Sequence, residues 1–113
     1  MKVIVAGTRS IADYDRVARA IESAPFDVTE IVSGCAPGPD QLGALYGYLN
    51  DIPVKEFPAE WDVHGRAAGP IRNQAMSEYA DALILIWNGQ SRGSKDMLER
   101  AKAENLEIFV DEA

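Results

Sequence analysis

Short runs of apolar, β-branched residues alternate along the chain with stretches in which apolar residues return every three or four positions. That is the rhythm of an α/β protein. Val3-Ile4-Val5-Ala6 predicts a buried strand closed by Gly7, after which Tyr14, Val17, Ala18 and Ile21 follow the i, i+3, i+4, i+7 stripe of a helix capped by Asp13. Glu30-Ile31-Val32-Ser33 predicts a second strand, which runs into Gly34. The helix that follows has Pro39 at its first position and Leu42, Leu45, Tyr46 and Leu49 along its inner stripe. A third strand spans Val54 to Phe57, and Pro58 to Ala68 reads as a polar loop. Gly69-Pro70 opens a helix with Ile71, Ala75 and Tyr79 inward, and Ala82 to Trp87 is the most apolar strand. Gly89 to Gly93 forms a flexible loop, a last helix runs from about Ser94 to Glu104, and Glu107 to Val110 ends the sheet. Five strands with four helical crossovers predict one three-layer α/β domain over residues 1–113, with a five-stranded parallel sheet in the order 3-2-1-4-5.

Composition narrows the function classes. The chain has 113 residues, 47% of them apolar and 26% charged, as in an ordinary globular domain. No apolar run approaches the roughly 18 residues of a membrane span, and Gly7 interrupts the first apolar run before a signal-peptide core is complete, so a cytoplasmic location without membrane contact is expected. Cys35 and His64 are the sole cysteine and histidine, which leaves no intrachain disulfide and no zinc cluster; neither a metal nor a cofactor is expected. Eleven Lys and Arg against 18 Asp and Glu give a formal charge of −7, the wrong sign for bulk nucleic-acid binding.

The informative segments follow the strand ends, where open α/β sheets bind ligands. They are Gly7-Thr8-Arg9-Ser10, Ser33 to Asp40 with Gly34 and Gly38, Gly69 to Met76 with Arg72 and Asn73, and Gly89 to Lys95 with Ser91, Arg92, Gly93 and Ser94. Their glycines let backbone N–H groups approach a ligand, and each segment leads into a helix N-terminus, which attracts anions. None is a Walker A loop or a G-x-G-x-x-G fingerprint, so an ordinary NTPase or NAD dehydrogenase is not supported. Helix first turns favour acidic residues, yet Arg72, near the third position of its helix, and Lys95, in the first turn of the last, stand against the dipole. Five of the 11 basic residues fall in these segments or in the 58–68 loop of an otherwise acidic chain: Arg9, Arg72, Arg92 and Lys95 in the segments and Arg66 in the loop. A bound anion resolves the conflict; the plainer reading is that these side chains reach solvent or pair with Asp40, Asp62 or Asp96.

Gly-Thr-Arg-Ser after the first strand, Ser-Gly-x-Ala-x-Gly-x-Asp at 33–40, Gly-Pro-Ile-Arg-Asn-x-x-Met at 69–76 and Ser-Arg-Gly-Ser-Lys-Asp-Met at 91–97 together resemble the YspA-type branch of the SLOG superfamily, over nearly the whole chain. The resemblance implies a Rossmann-like fold and a nucleotide-like ligand, in a superfamily that includes the LOG phosphoribohydrolases, the DNA-uptake protein DprA and sensors of nucleotide-derived signals. Arg72 matches the arginine of the LOG Arg-Lys-x-x-Met helix motif, whose lysine is Asn73 here. Gly93 and Ser94 match the phosphate-holding pair of the LOG Pro-Gly-Gly-x-Gly-Thr-x-x-Glu loop, whose catalytic glutamate is Met97 here. A thioether neither accepts a proton nor stabilises an oxocarbenium ion, and Asp96 lies about 100° further round the helix. Binding or sensing of a nucleotide or nucleotide-derived small molecule is therefore the leading reading. The alternative is hydrolysis of a nucleoside 5′-monophosphate at its N-glycosidic bond, with Arg72, Asp96 or Asp40 as catalytic candidates.

Further residues carry two readings each. Asp40 is a partner for ribose hydroxyls or a complement to its helix dipole. Cys35 is an inert small residue first and an activated thiol second. His64, with Trp61, Asp62 and Arg66, is a surface histidine or part of a cover over a bound base, Trp87 is core or a stacking platform, and Met76 and Met97 are packing residues. Tyr46, Tyr48 and Trp61 are compatible with a C2 homodimer.

Overall fold

A computed structural model describes residues 1–112 of the chain; Ala113, the last residue of the expected domain, lies outside them. Strands β1 (Lys2–Gly7), β2 (Glu30–Ser33), β3 (Val54–Glu56), β4 (Ala82–Trp87) and β5 (Glu107–Glu112) form a parallel sheet in the expected order β3-β2-β1-β4-β5. Helices α1 (Tyr14–Ser23), α2 (Pro39–Leu49), α3 (Trp61–His64), α4 (Ala68–Tyr79) and α5 (Arg92–Ala103) connect the strands. The central pair is β1 and β4, in register from Val3 opposite Ala82 to Gly7 opposite Ile86.

Alternate residues of the central strands feed two cores. Val3, Val5, Ile84 and Ile86 pack with Val17 and Ile21 of α1, and Leu42 and Tyr46 of α2 lie against the same core. Ile4, Leu83 and Leu85 pack on the other face with Met76 of α4 and with Met97 and Ala101 of α5. Strands covered on both faces need no polar alternation, which is why β1 and β4 read as continuous apolar runs.

Four local expectations are corrected. The buried face of α2 is Pro39, Asp40, Gly43, Ala44 and Gly47, while Leu45 and Leu49 are 41% and 64% exposed. The cause is close approach: a Cβ on Gly43 would sit 2.6 Å from Val5 Cγ1, and one on Gly47 2.6 Å from Val54 Cγ2, so the helix lies on the sheet by its small residues. On α4 the buried residues include Asn73, Met76 and Ser77, whereas Ile71 is exposed. The expected loop at 58–68 contains α3 and a single 3-10 turn, Gly65–Ala67, so that α4 begins at Ala68 and Arg72 is its fifth residue. The last helix begins at Arg92 because the Ser91 hydroxyl caps it, accepting a hydrogen bond from the Ser94 N–H at 3.4 Å.

Candidate functional site

Above the carboxyl ends of β1, β2 and β4, the N-terminal ends of α2, α4 and α5 surround a cleft of about 250 Å³. Its walls come from all four segments singled out in the sequence: Gly7 and Arg9 after β1, Asp40 from α2, Gly69, Arg72 and Asn73 from α4, and Arg92, Gly93, Ser94 and Asp96 from α5. The switch point between β1 and β4, where crossovers go to opposite faces of the sheet, opens this space.

Asp40 is 4% exposed at the start of α2. Burial raises its carboxyl from the ordinary value to about 6, against the opposing pull of Arg72, of the Ala36 and Gly34 backbone N–H groups and of Arg9. Burial likewise lowers the Arg72 guanidinium, a shift opposed by Asp40 and reinforced by Arg9. Arg72 donates from Nη1 to the Gly34 carbonyl oxygen and from Nε to Asn73 Oδ1 at 2.9 Å. A Cβ on Gly34 would lie 2.6 Å from Asp40 Oδ2 and 2.7 Å from Arg72 Nη1. The glycine of the Ser33-Gly34 pair is thus the space in which the buried acid and base converge.

At the α5 end, Ser94 is 4% exposed and lines the cleft, and its hydroxyl is buried without a hydrogen-bond partner among the described residues. A Cβ built on the neighbouring Gly93 meets no atom within 4 Å, so the backbone there is open to a ligand. Across the opening, Trp61 of α3 is half-exposed, and its ring stands 3.4 Å from where a Cβ on Gly69 would be. Trp61 thus lies over the cleft, whereas His64 lines a neighbouring hollow beside Phe57 and Ile71.

Apart from Arg92, the remaining candidates lie outside the cleft wall. Thr8 is buried, and its hydroxyl accepts from the Asn88 N–H at 3.1 Å, joining the loops after β1 and β4. Ser33 donates to the Asp40 carbonyl oxygen at 2.8 Å and shapes the turn into α2. Gly38 has φ +86, and a Cβ there would stand 2.7 Å from the Arg9 carbonyl oxygen, so it lets the β2–α2 loop pass close to the β1 loop. Ser91 is the α5 cap, Gly89 occupies a turn with φ +84, and Ser10 and Lys95 are exposed outside the cleft wall. Arg92, at the first position of α5, is the first-turn cation that faces the cleft. Cys35 lies in a smaller hollow shared with Arg9, Trp61 and Arg72, where burial and then Glu56 push its thiol upward, away from the reactive thiolate.

Sequence reasoning passed over Ala36 and Pro70 as lining residues, since neither carries chemistry that marks it. Met97 is 1% exposed and forms part of the cleft floor as well as the core. No group of three or more His, Cys, Asp or Glu able to hold a metal ion occurs among the described residues, and no described helix is long and apolar enough to cross a membrane.

The fold has a counterpart among solved structures. DNA processing protein A (DprA) from Streptococcus pneumoniae superposes with a TM-score of 0.77 at 21% identity, over 96% of this chain and 49% of that one. The chain therefore spans about half the length of that protein and shares its fold. Among curated proteins, none matches the chain. The sequence model of the YspA, cpYpsA-related SLOG family matches residues 1–64, the stretch that contributes Gly7, Arg9, Asp40 and Trp61 to the cleft, and the chain belongs to that family.

Proposed function

We propose that the chain binds a nucleotide or nucleotide-derived small molecule in this cleft, with its phosphate at the N-terminus of α5. The observation that carries the reading is the buried, unpartnered Ser94 hydroxyl at the start of a 12-residue helix, beside the open backbone of Gly93 and the cation of Arg92. An unpaired buried hydroxyl costs about 1–3 kcal/mol, which a phosphate oxygen hydrogen-bonded there recovers. The helix dipole and Arg92 favour the same negative charge. At the opposite wall Asp40 presents a carboxyl that repels phosphate and accepts from hydroxyl or amino groups, so the two ends suit a ligand that is anionic at one end and hydrogen-bond-donating at the other.

Calorimetric or fluorescence melting with a panel of mono-, di- and cyclic nucleotides tests the reading. At 100 times its dissociation constant a bound nucleotide stabilises the fold by about 2.7 kcal/mol. Arg72→Ala removes most of that gain. Ser94→Ala also reduces it but leaves the ligand-free protein as stable or slightly more so, because the substitution deletes an unsatisfied buried hydroxyl. A panel without any shift refutes the proposal.

Binding without turnover is the form of the reading that the site favours. Cleavage of an N-glycosidic bond needs a carboxylate free to face the anomeric carbon. Met97 provides none, and Asp96 Oδ2 already accepts from Asn73 Nδ2 at 2.9 Å and from Arg100 Nε at 2.9 Å. Incubation with AMP is expected to release neither adenine nor ribose 5-phosphate above background by chromatography. Multiple turnovers would establish the hydrolase reading instead, and Asp40→Asn and Asp96→Asn would then identify the acting carboxylate.

A further inference from the structure

Arg72 has five N–H donors, and two of them are engaged by the protein itself, one by the Gly34 carbonyl and one by Asn73 Oδ1. The Asn73 amide is held in turn from the far side. Its Nδ2 donates to Asp96 Oδ2, the same oxygen that accepts from Arg100 Nε, and Arg100 Nη1 reaches back to Gln74 Oε1 at 3.1 Å. An ionised carboxylate only accepts, so Asp96 obliges Asn73 to turn its NH2 group toward α5 and its oxygen toward Arg72. Arg100 Nε and Arg72 Nε can only donate, so the carboxylate of Asp96 fixes the direction of the middle bond, from Asn73 Nδ2, and leaves Asn73 Oδ1 free to accept from Arg72.

We infer that Asn73, Asp96 and Arg100 are positioning residues that fix the Arg72 guanidinium in the cleft, so that Arg100, which lies outside the cleft wall, governs the affinity for an anionic ligand. The inference rests on the nucleotide-binding reading for its effect on affinity, though not for the relay itself. Two features favour orientation over stability as the role of the relay. The Asp96 and Arg100 side chains are 30% and 33% exposed, so their solvent-screened i,i+4 pair contributes little to folding. Asp96 also lines the cleft near the α5 terminus, where its charge opposes a phosphate unless Arg100 compensates it.

The test uses the full chain, labelled with ¹⁵N, and AMP as the probe. In the ligand-free protein the Arg72 Nε–H and the Asn73 side-chain amide are expected to give resolved signals. Asp96→Asn, which preserves shape but lets the Asn73 amide turn over, accelerates exchange of the Arg72 Nε–H and weakens AMP by about tenfold. Arg100→Ala weakens AMP about threefold, more at low salt, and Arg100→Lys restores the salt-dependent part by restoring the charge. Arg19→Ala, which makes the same change in net charge on an exposed side chain of α1, leaves the affinity within about twofold. Unchanged Arg72 and Asn73 signals in a folded Asp96→Asn protein overturn the relay, as does an Arg100→Ala protein whose AMP affinity matches the unsubstituted chain. If the unsubstituted chain does not bind AMP, the nucleotide reading fails for that ligand. The side-chain signals then decide the relay alone: altered in Asp96→Asn they uphold it, and unaltered they overturn it.

Discussion

Gly7→Ala is expected to destabilise the protein by about 3 kcal/mol or more, a large part of the roughly 5–15 kcal/mol that holds a domain of this size. A Cβ at this position would overlap the Ile86 carbonyl oxygen and stand 2.9 Å from the Ile86 carbonyl carbon and from Pro39 Cγ. None of these can withdraw. Gly7 and Ile86 are partners in the central β1–β4 pair, the Ile86 oxygen accepts the Thr8 N–H at 3.0 Å, and Pro39 is the buried first residue of α2. Relief therefore requires a backbone shift at the centre of the sheet, directly beneath the cleft. Gly93→Ala is the matched control, because a Cβ there meets nothing within 4 Å and lies in a helix, where alanine is favoured by up to about 1 kcal/mol. Urea unfolding should show a much lower midpoint with an unchanged m-value for the first variant and an equal or higher midpoint for the second. Equal midpoints for both would mean that β1 and β4 do not approach as closely as described.

The second large effect is a pH dependence of stability carried by Asp40. Its folded value of about 6 lies above the ordinary 3.8, because burial penalises the carboxylate more than Arg72 and the backbone N–H groups favour it. A raised folded value means that the folded state holds the proton more tightly than the unfolded chain. The contribution of Asp40 is thus fully present below about pH 4, declines between about pH 4 and 6, and is lost above that, a total change of about 3 kcal/mol. Asp40→Asn should remove this slope from the unfolding free energy measured between pH 4 and 7. The isosteric amide cannot accept with both terminal atoms, so part of the gain at neutral pH is offset by a poorer fit to the Ala36 and Gly34 N–H groups. Arg72→Ala should move the decline to higher pH, since the arginine is the largest of the influences that favour the carboxylate. A profile that Asp40→Asn leaves unaltered would contradict the placement of this carboxyl in a desolvated site.

The same buried acid bears on the proposed ligand. A hydroxyl or amino group donating to Asp40 favours its ionised form, so ligand binding should release a proton from Asp40 near pH 6, which titration in buffers of different ionisation enthalpy detects. A purely anionic ligand without such a donor would take up protons instead, and the sign of the change distinguishes the two.

The sequence by itself determined the strands, their parallel order and the four loops around the cleft. Val3 to Ala6 and Ala82 to Trp87 are continuous apolar runs because both their faces are covered, and the glycines, arginines and serines that follow the strand ends mark where backbone and charge must meet something other than a core. It also singled out Arg72, through its resemblance to the arginine of the LOG helix motif, and Gly93 and Ser94, through their resemblance to the phosphate-holding pair of the LOG loop. Only the tertiary structure decided which faces were buried and which side chains turned into the cleft. Leu45 and Leu49 were more apolar than Gly43 and Gly47, yet the glycines lie on the sheet, because burial on α2 is set by how closely two backbones approach and not by side-chain hydropathy. Lys95 read as the first-turn cation of the last helix and Arg92 as a loop residue until the Ser91 cap fixed where α5 begins, which puts Arg92 at the cleft and Lys95 outside its wall. The link from Arg100 through Asp96 and Asn73 to Arg72 joins two helices that pack side by side; its only sequence trace is the four-residue spacing of Asp96 and Arg100. Hydropathy and spacing are properties of one segment at a time, whereas a hydrogen-bond relay and a buried acid near pH 6 exist only where several segments exclude water together.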